Sequence, residues 1–449
     1  PEALFHGGAA AKEARPPEGL PELADGVLDG PLLQRLARHE TVFLKMMDRY
    51  DYAGGLTYSR RIMAYHHHLA FWKGLLDHYR PDVAVFRTVP HMGYDYVVYA
   101  LCEALGIETL TFERAAVPGL LLPVHRVEEG SPRLREALRE LLADPAPADA
   151  ERLSQASRAH LAKLRQSYDR AMPLHTRFKL QNLDYGWSVK GLMQLASDVG
   201  RDLRRLLDRG DSVGDGHWFL ARQAGRWRKH QLSAYYERLA YRPDLDQPFV
   251  FVALQCEPER QTSPNGGEFT HQYLMIAMLS ALVPSGWGVY VKEHVSQFKP
   301  YQLAERARSR AFYDYLAGLP NVSLVSLEVD SFSLIDRAMA AATVSGTVAW
   351  EAVVRGCPGL LFGYAWYRDC PGVHQVDSET ACREALAAIA AGAKPREDAV
   401  VRFLQAFEAV GTWGYIDKVY EKLGVVDAEA NIVNSATALA QISAHGVAA

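Results

Sequence analysis

Between residues 249 and 363, short apolar runs alternate with helix-patterned stretches: FVFVALQ (Phe249 to Gln255), GVYV (Gly288 to Val291), VSLVSL (Val322 to Leu327), ATV inside ATVSGTVAWEAVVRG, and PGLLFG (Pro358 to Gly363). The spacing predicts helices at Gln272 to Leu282, Tyr301 to Leu316, Ser333 to Ala341 and Trp350 to Val354. Strands that are apolar on both faces and alternate with helices pair in parallel, in a sheet covered on both sides. That rhythm constrains the chain more than any single residue does. A second, shorter instance lies upstream. PDVAVF (Pro81 to Phe86), a helical stretch from Tyr94 to Leu105 closed by Gly106, and ETLTF (Glu108 to Phe112) make one strand–helix–strand unit.

The expected class is therefore α/β, with two Rossmann-like domains facing each other across a cleft and helical segments connecting them. The expected division is a flexible leader over 1–30, a first Rossmann-like domain over 31–175, a helical connector over 176–248, a second Rossmann-like domain over 249–395 and C-terminal helices over 396–449. Ligands of such sheets bind outside the carboxyl ends of the strands. Candidate residues are therefore sought in the loops that follow the apolar runs.

Four loops qualify. After GVYV come Lys292, Glu293 and His294, a cation and an imidazole suited to a phosphate or carboxylate; a solvated turn would look the same. After ATV come Ser345, Gly346 and Thr347, where backbone N–H groups could cradle an anion, with Glu351 one turn on and positioned for a ribose; an ordinary helix cap is the plainer reading. After FVFVA come Gln255, Glu257 and Glu259, in a long polar loop with an Asn265-Gly266-Gly267 turn. After PDVAVF come His91, Tyr94 and Asp95, with Glu113 ending the next strand, a group able to bind an acceptor or to supply an acid/base pair. It could equally be a capped helix start.

Composition narrows the function classes. A net charge of −4 argues against nucleic acid as a partner, and five scattered cysteines without a CxxC pair fit neither a disulfide framework nor a zinc site. They agree with a cytoplasmic setting. No apolar run approaches the roughly 18 residues of a membrane span, and PEALFHGGAAAKEARPPEGL lacks the apolar stretch of a signal peptide. Any membrane association is expected to be peripheral, at the inner face of the cytoplasmic membrane. His66, His67 and His68 point to different faces of one helix and are not a natural metal triad. Cys370 and His374 lack a third catalytic partner. No metal and no cofactor are expected.

The segments FVFVALQCEPERQTSPNGGEF, GWGVYVKEH, NVSLVSLEVDSFSLIDRA, VSGTVAWEAVVRGCPGLLFGYAWY and CPGVH, in this order, resemble bacterial capsule polysaccharide biosynthesis proteins. That group includes the retaining β-Kdo transferases, which use CMP-activated Kdo. The resemblance covers about residues 240 to 376 and reaches the first region only weakly. It implies a GT-B fold with the donor nucleotide mostly in the second domain. By that likeness Lys292 and His294 would meet the donor phosphate or sugar carboxylate, Ser345, Gly346 and Thr347 would cradle the phosphate, and Glu351 would hold the ribose. The family shows His-Pro at the strand end, where this chain has His294-Val295.

The implied activity is transfer of Kdo or a related ulosonic acid from a CMP-linked donor to a surface or capsular glycan or glycolipid. A retaining double displacement would need a nucleophile and an acid/base group, for which Asp95, Glu113, Glu257 and Glu259 are the candidates near the cleft; Glu259 is favoured for organising the donor site and Asp95 or Glu113 for the chemistry, with His91 and Tyr94 toward the acceptor. Rival readings are a UDP-sugar enzyme (another GT-B transferase or an epimerase-like enzyme), transfer of a polyol phosphate from a CDP-linked donor, or a non-catalytic subunit of polysaccharide assembly. In the last case the helical segments over 131–242 would be a partner surface, with Arg201, Arg204, Arg205 and Arg209 toward anionic lipid or polymer; a solvated helix face is the plainer reading of those arginines.

Overall fold

A computed structural model describes residues 25–51, 56–166, 193, 196–197, 200, 213–298, 307–416 and 426–446. Most of the leader, the four arginines from Arg201 to Arg209 and residues 301–306 of the helix expected from Tyr301 lie outside the described residues; 307–309 are not helical, and that helix starts at Arg310, capped by the Ser309 side chain. The chain begins with helices α1 (Gly30–Met46) and α2 (Tyr58–Tyr79), followed by β1 (Val83–Phe86), α3 (Tyr94–Leu105), β2 (Glu108–Arg114) and β3 (Leu120–Val124). Helices α4 (Pro132–Ala143), α5 (Gln155–Leu164) and α6 (Val213–Leu239) lead to the second region.

There the order is β4 (Phe249–Ala253), α7 (Tyr273–Leu282), β5 (Gly288–Lys292), α8 (Arg310–Ala317), β6 (Val322–Val325), α9 (Ser331–Arg337) and β7 (Ala340–Thr343). It continues with α10 (Val348–Val354), β8 (Gly359–Leu361), β9 (Val373–Gln375) and α11 (Glu379–Ala390). The chain then runs through α12 (Glu397–Val410), β10 (Thr412–Trp413) and α13 (Ala428–Gly446).

The second sheet has six parallel strands in the order β6-β5-β4-β7-β8-β9. Chain direction across the sheet reverses between β4 and β7, and the crevice at such a switch point is where open α/β sheets bind ligands. Both faces are buried, as the continuous apolar runs require. Phe249, Phe251, Ala341 and Leu361 join one cluster with Trp350 of α10 and Phe403 and Phe407 of α12. Val250, Val252, Val289, Val291 and Ala342 face Met275, Ile276 and Leu279 of α7, Tyr313 of α8 and Leu386 of α11. Each large strand side chain buried this way contributes about 1.5–3 kcal/mol relative to exposure.

The first sheet has four strands in the order β1-β2-β3-β10. It keeps one parallel βαβ unit (β1 with β2) and then turns antiparallel (β2 with β3, β3 with β10). Gly106 closes α3 with φ of +73°, a left-handed conformation that suits glycine. Among the described residues of the C-terminal segment, α12 leads into β10, which pairs with β3, and α13 follows, so the chain returns to the first unit. Leu120, Leu122 and Val124 of β3 share their cluster with Phe403 and Phe407, which makes the core continuous across the two units. The chain is thus an α/β protein with two sheets. No described helix is long and apolar enough to cross a membrane.

The helix expected to run to Ala341 ends at Arg337, and Ala340 and Ala341 begin β7 instead. Small alanines there allow β7 to lie between β4 and β8 with nothing exposed. Tertiary burial outweighs the helix preference of alanine.

Candidate functional site at the junction of the two sheets

The loops after β4 and β7 meet at the switch point. Gly346 carries no side chain because Gln255 occupies its place: a Cβ there would lie 2.0 Å from Gln255 Nε2. Gln255 Nε2 donates to Thr343 Oγ1 (3.0 Å), which also accepts from the Gly346 N–H (3.1 Å). Ser345 Oγ donates to the Gln261 carbonyl (2.5 Å), Thr347 Oγ1 donates to Glu351 (2.6 Å), and the Tyr367 hydroxyl donates to the Gly346 carbonyl. The Ser345–Gly346–Thr347 turn is therefore tied into its own surroundings, and an anion bound here would exchange for one of these bonds. Burial raises the Glu351 carboxyl, opposed by the Thr347 hydrogen bond and by Arg355.

At the end of β5, Lys292 Nζ donates to the Val329 carbonyl (2.5 Å) and to Ser331 Oγ (3.1 Å), so it anchors the turn before α9. Burial lowers its ammonium to about 8, opposed by Asp330 and Glu237. The His294 N–H donates to Glu293 Oε1 (2.8 Å), and His294 Nδ1 accepts from the Ser296 N–H (3.1 Å). Nδ1 thus carries no proton, and in the neutral ring the proton sits on Nε2.

Beneath these loops lies a buried ionic cluster. Arg308 donates to Glu293 Oε2 (2.7 Å), to Glu257 Oε1 (2.8 Å) and to the Gln255 carbonyl (3.1 Å). Tyr313 donates to Glu293 (2.8 Å) and Gln272 to Glu257 (2.6 Å). Burial alone would raise the Glu257 carboxyl, but Arg308, Lys45 and the Gln272 bond outweigh it and leave it below its ordinary range. Glu257 is thus a structural carboxylate. Arg308 has no sequence signature, because its partners are 15 and 51 residues away along the chain.

From the first unit, the β1–α3 loop and the end of β2 face these loops. Asp95 Oδ1 accepts from the Met92 N–H (2.6 Å), and backbone N–H groups of His91 and Tyr96 add to its hydrogen bonding. Its carboxylate ties the turn that precedes α3, whose N-cap Gly93 has no side-chain capping bond. His91 Nδ1 donates to the Val89 carbonyl (2.7 Å), which turns Nε2 into an acceptor. Burial first, then Arg260, lower this imidazole to about 4, so it is neutral at pH 7. Tyr94 stacks on Trp72 with ring centroids 6.5 Å apart.

Glu113 is buried (6% exposed), and no hydrogen bond or ion pair fixes its carboxyl among the described residues. Burial raises it from 4.5 to about 7 against the pull of Arg260 and Arg368, with Asp369 reinforcing the rise. Tyr367, between Glu113 and Glu351 electrostatically, is pushed well up by burial and then by both carboxyls.

Arg260 reaches across from the β4 loop. It donates to Thr88 Oγ1 (3.0 Å) and lies within electrostatic range of both His91 and Glu113. Arg49, at the end of the α1 segment, donates to the carbonyls of His91 and Ser263 and so bridges the same two loops. Glu259 acts on Arg49 by charge. Sequence reading singled out Glu259 and passed over Arg260 beside it, although both stand in the quoted loop. The structure thus gathers His91, Glu113, Glu259 and Arg260 at the junction and leaves Lys292 on the far turn. Among the described residues, no group of three His, Cys, Asp or Glu side chains could hold a metal ion. His68 packs against Phe43, and burial lowers it to about 4.

No family model and no curated protein matches the chain. Several solved structures are similar at low level. One is Thermosulfurimonas dismutans KpsC, beta Kdo 2,7 transferase, at 14% identity and TM-score 0.26, covering 44% of this chain and 57% of that one. The chain thus spans little more than half the length of that protein. Another is KpsC, beta Kdo 2,4 transferase, of the same organism, at 11% identity and TM-score 0.28, covering 72% and 78% of the two chains. A third is Methanocaldococcus jannaschii UDP-GlcNAc 2-epimerase in complex with UDP-GlcNAc and UDP, at 11% identity and TM-score 0.25, covering 79% and 82%. Likenesses at this level say nothing of activity, and the fold stands on the strand order itself.

Proposed function

We propose that the protein is a glycosyltransferase that moves an acidic keto sugar, Kdo or a related ulosonic acid, from a CMP-linked donor to a glycan hydroxyl. One observation carries the reading: Glu113, His91 and Arg260 converge where the carboxyl ends of the two sheets face each other. A carboxyl held near neutrality exchanges protons readily at physiological pH. Arg260 supplies a guanidinium for the sugar carboxylate beside that carboxyl.

In this reading the acceptor hydroxyl gives its proton to ionised Glu113 as its oxygen bonds the anomeric carbon. The bond from that carbon to the phosphate oxygen breaks, and CMP leaves with the electron pair. His294, in the loop after β5, stabilises the departing phosphate, and Glu351 meets the ribose. Ser345, Gly346 and Thr347 border the phosphate with Gln255 behind them. Lys292 contributes positive charge and fixes the neighbouring turn. A retaining route would recruit Glu259, the carboxylate of the Arg260 loop, as nucleophile, whereas Asp95 serves the acceptor loop by fixing its shape.

Thermal unfolding with CMP, CDP, UDP and GDP tests the donor assignment. A ligand at 100 times its dissociation constant stabilises by about 2.7 kcal/mol. The expected result is a shift with CMP alone that is lost in His294→Ala. A shift with UDP alone would instead assign a UDP-sugar enzyme, and no shift with any nucleotide would remove the donor site.

A further inference from the structure

Glu257, Arg308 and Glu293 form a buried set of two carboxylates and one guanidinium, with side chains 3%, 1% and 0% exposed. Taken alone, this set carries one excess negative charge in a place where an unbalanced charge is costly. Its remaining cation among the described residues comes from the other unit: Lys45 Nζ of α1 lies 3.2 Å from Glu257 Oε2. Lys45 also lies 3.3 Å from Asp48 Oδ2, and Asp48 in turn pairs with Arg61 at 2.6 Å. At the opposite end of the cluster, Glu293 Oε1 accepts the His294 N–H, and the Gln297 side chain bonds both the N–H and the carbonyl of Glu257. A chain of ion pairs and hydrogen bonds therefore runs from a helix of the first unit to the 293–298 loop of the second.

We propose that Lys45 is a positioning residue that holds the 293–298 loop across the boundary between the units, by neutralising the Glu257–Arg308–Glu293 cluster. Seating α1 on the second unit and ordering the His294 loop then become one event. Without the ammonium, Glu257 Oε2 has no cationic partner, and Arg308 is left to balance two carboxylates. The bonds that Glu257 and Glu293 make to the loop through Gln297 and His294 weaken with it. The inference borrows from the proposed function only the view that the His294 loop meets the donor.

Amide hydrogen exchange of the peptide spanning 291–298 in the full chain, without nucleotide, tests this independently of what the protein binds. Lys45→Met is expected to speed exchange there about tenfold, and Lys45→Arg, which keeps the charge, less than threefold. Glu257→Gln removes the excess charge, so adding Lys45→Met to it is expected to change exchange less than twofold. A local role for Lys45 in α1 would give the same Lys45→Met effect in both backgrounds, and that result, or unchanged exchange in Lys45→Met, overturns the proposal. If Lys45→Met does not fold, folding of Lys45→Met/Glu257→Gln supports the proposal and its failure to fold overturns it. Failure of the CMP assignment would appear as a missing nucleotide shift and leave this exchange pattern intact.

Discussion

Glu113 differs from the other carboxyls around the junction in what surrounds it. Asp95 is held by backbone N–H groups, and Glu257 and Glu293 by Arg308. Glu113 is buried without such a partner among the described residues, and folding raises it from 4.5 to about 7. The folded state therefore binds this proton more tightly than the unfolded chain does. Stability from this group is full below pH 4.5, and it is lost as pH rises through about 7, by an amount on the order of 3 kcal/mol. Glu113→Gln, which cannot ionise, is expected to raise Tm relative to wild type at pH 8 and to leave it nearly unchanged at pH 5. Equal shifts at both pH values would mean that the carboxyl is not held protonated. The sequence exposed Glu113 as a strand end but not its burial, and not the charges that act on it, because Arg260, Arg368 and Asp369 arrive from far along the chain.

At the scale of elements, period and punctuation were legible where the local pattern matches the environment. Tyr94 to Leu105 forms α3 as spaced, with Gly106 at its end. The strands β4, β6 and β8 fall inside their apolar runs, and β5 runs one residue past its own, to Lys292. The β7 start was not legible, since Ala340 and Ala341 favour a helix until β4 and β8 enclose them. Gly346 stood in the sequence as part of a backbone cradle for an anion, and the side chain packed against it was not legible. The structure supplies it in Gln255, whose side chain would have to swing away from Thr343 to admit a Cβ. Gly346→Ala is expected to fold and to lose about 1–2 kcal/mol, the cost of a broken, partly buried hydrogen bond. Gln255→Ala is expected to suppress most of the added loss from Gly346→Ala in urea unfolding. Full additivity of the two substitutions would contradict this contact.

At the scale of the whole molecule, two sheets and helices between them followed from the alternation of patterns. The return of the chain to the first unit through β10 did not, because a two-residue strand carries no periodicity. Nor did the straps that join the units, which are single long-range contacts: Arg49 to His91 and Ser263, Arg260 to Thr88, and Lys45 to Glu257. Arg49→Ala leaves two carbonyls without their donor, and it is expected to lower stability by about 2–4 kcal/mol in urea unfolding. Loss of under 0.5 kcal/mol would show that Arg49 does not bridge the loops in solution.

On the proposed function, Glu113 exchanges the proton of glycosyl transfer at this junction. Release of CMP from CMP-Kdo, with a glycolipid fraction as acceptor, measures it directly in wild type and Glu113→Gln. The expected result is release by wild type and a loss of about 100-fold or more in Glu113→Gln, with the nucleotide-induced thermal shift retained. CMP release by Glu113→Gln at the wild-type rate would contradict the claim, as would no release by a wild-type protein that binds CMP.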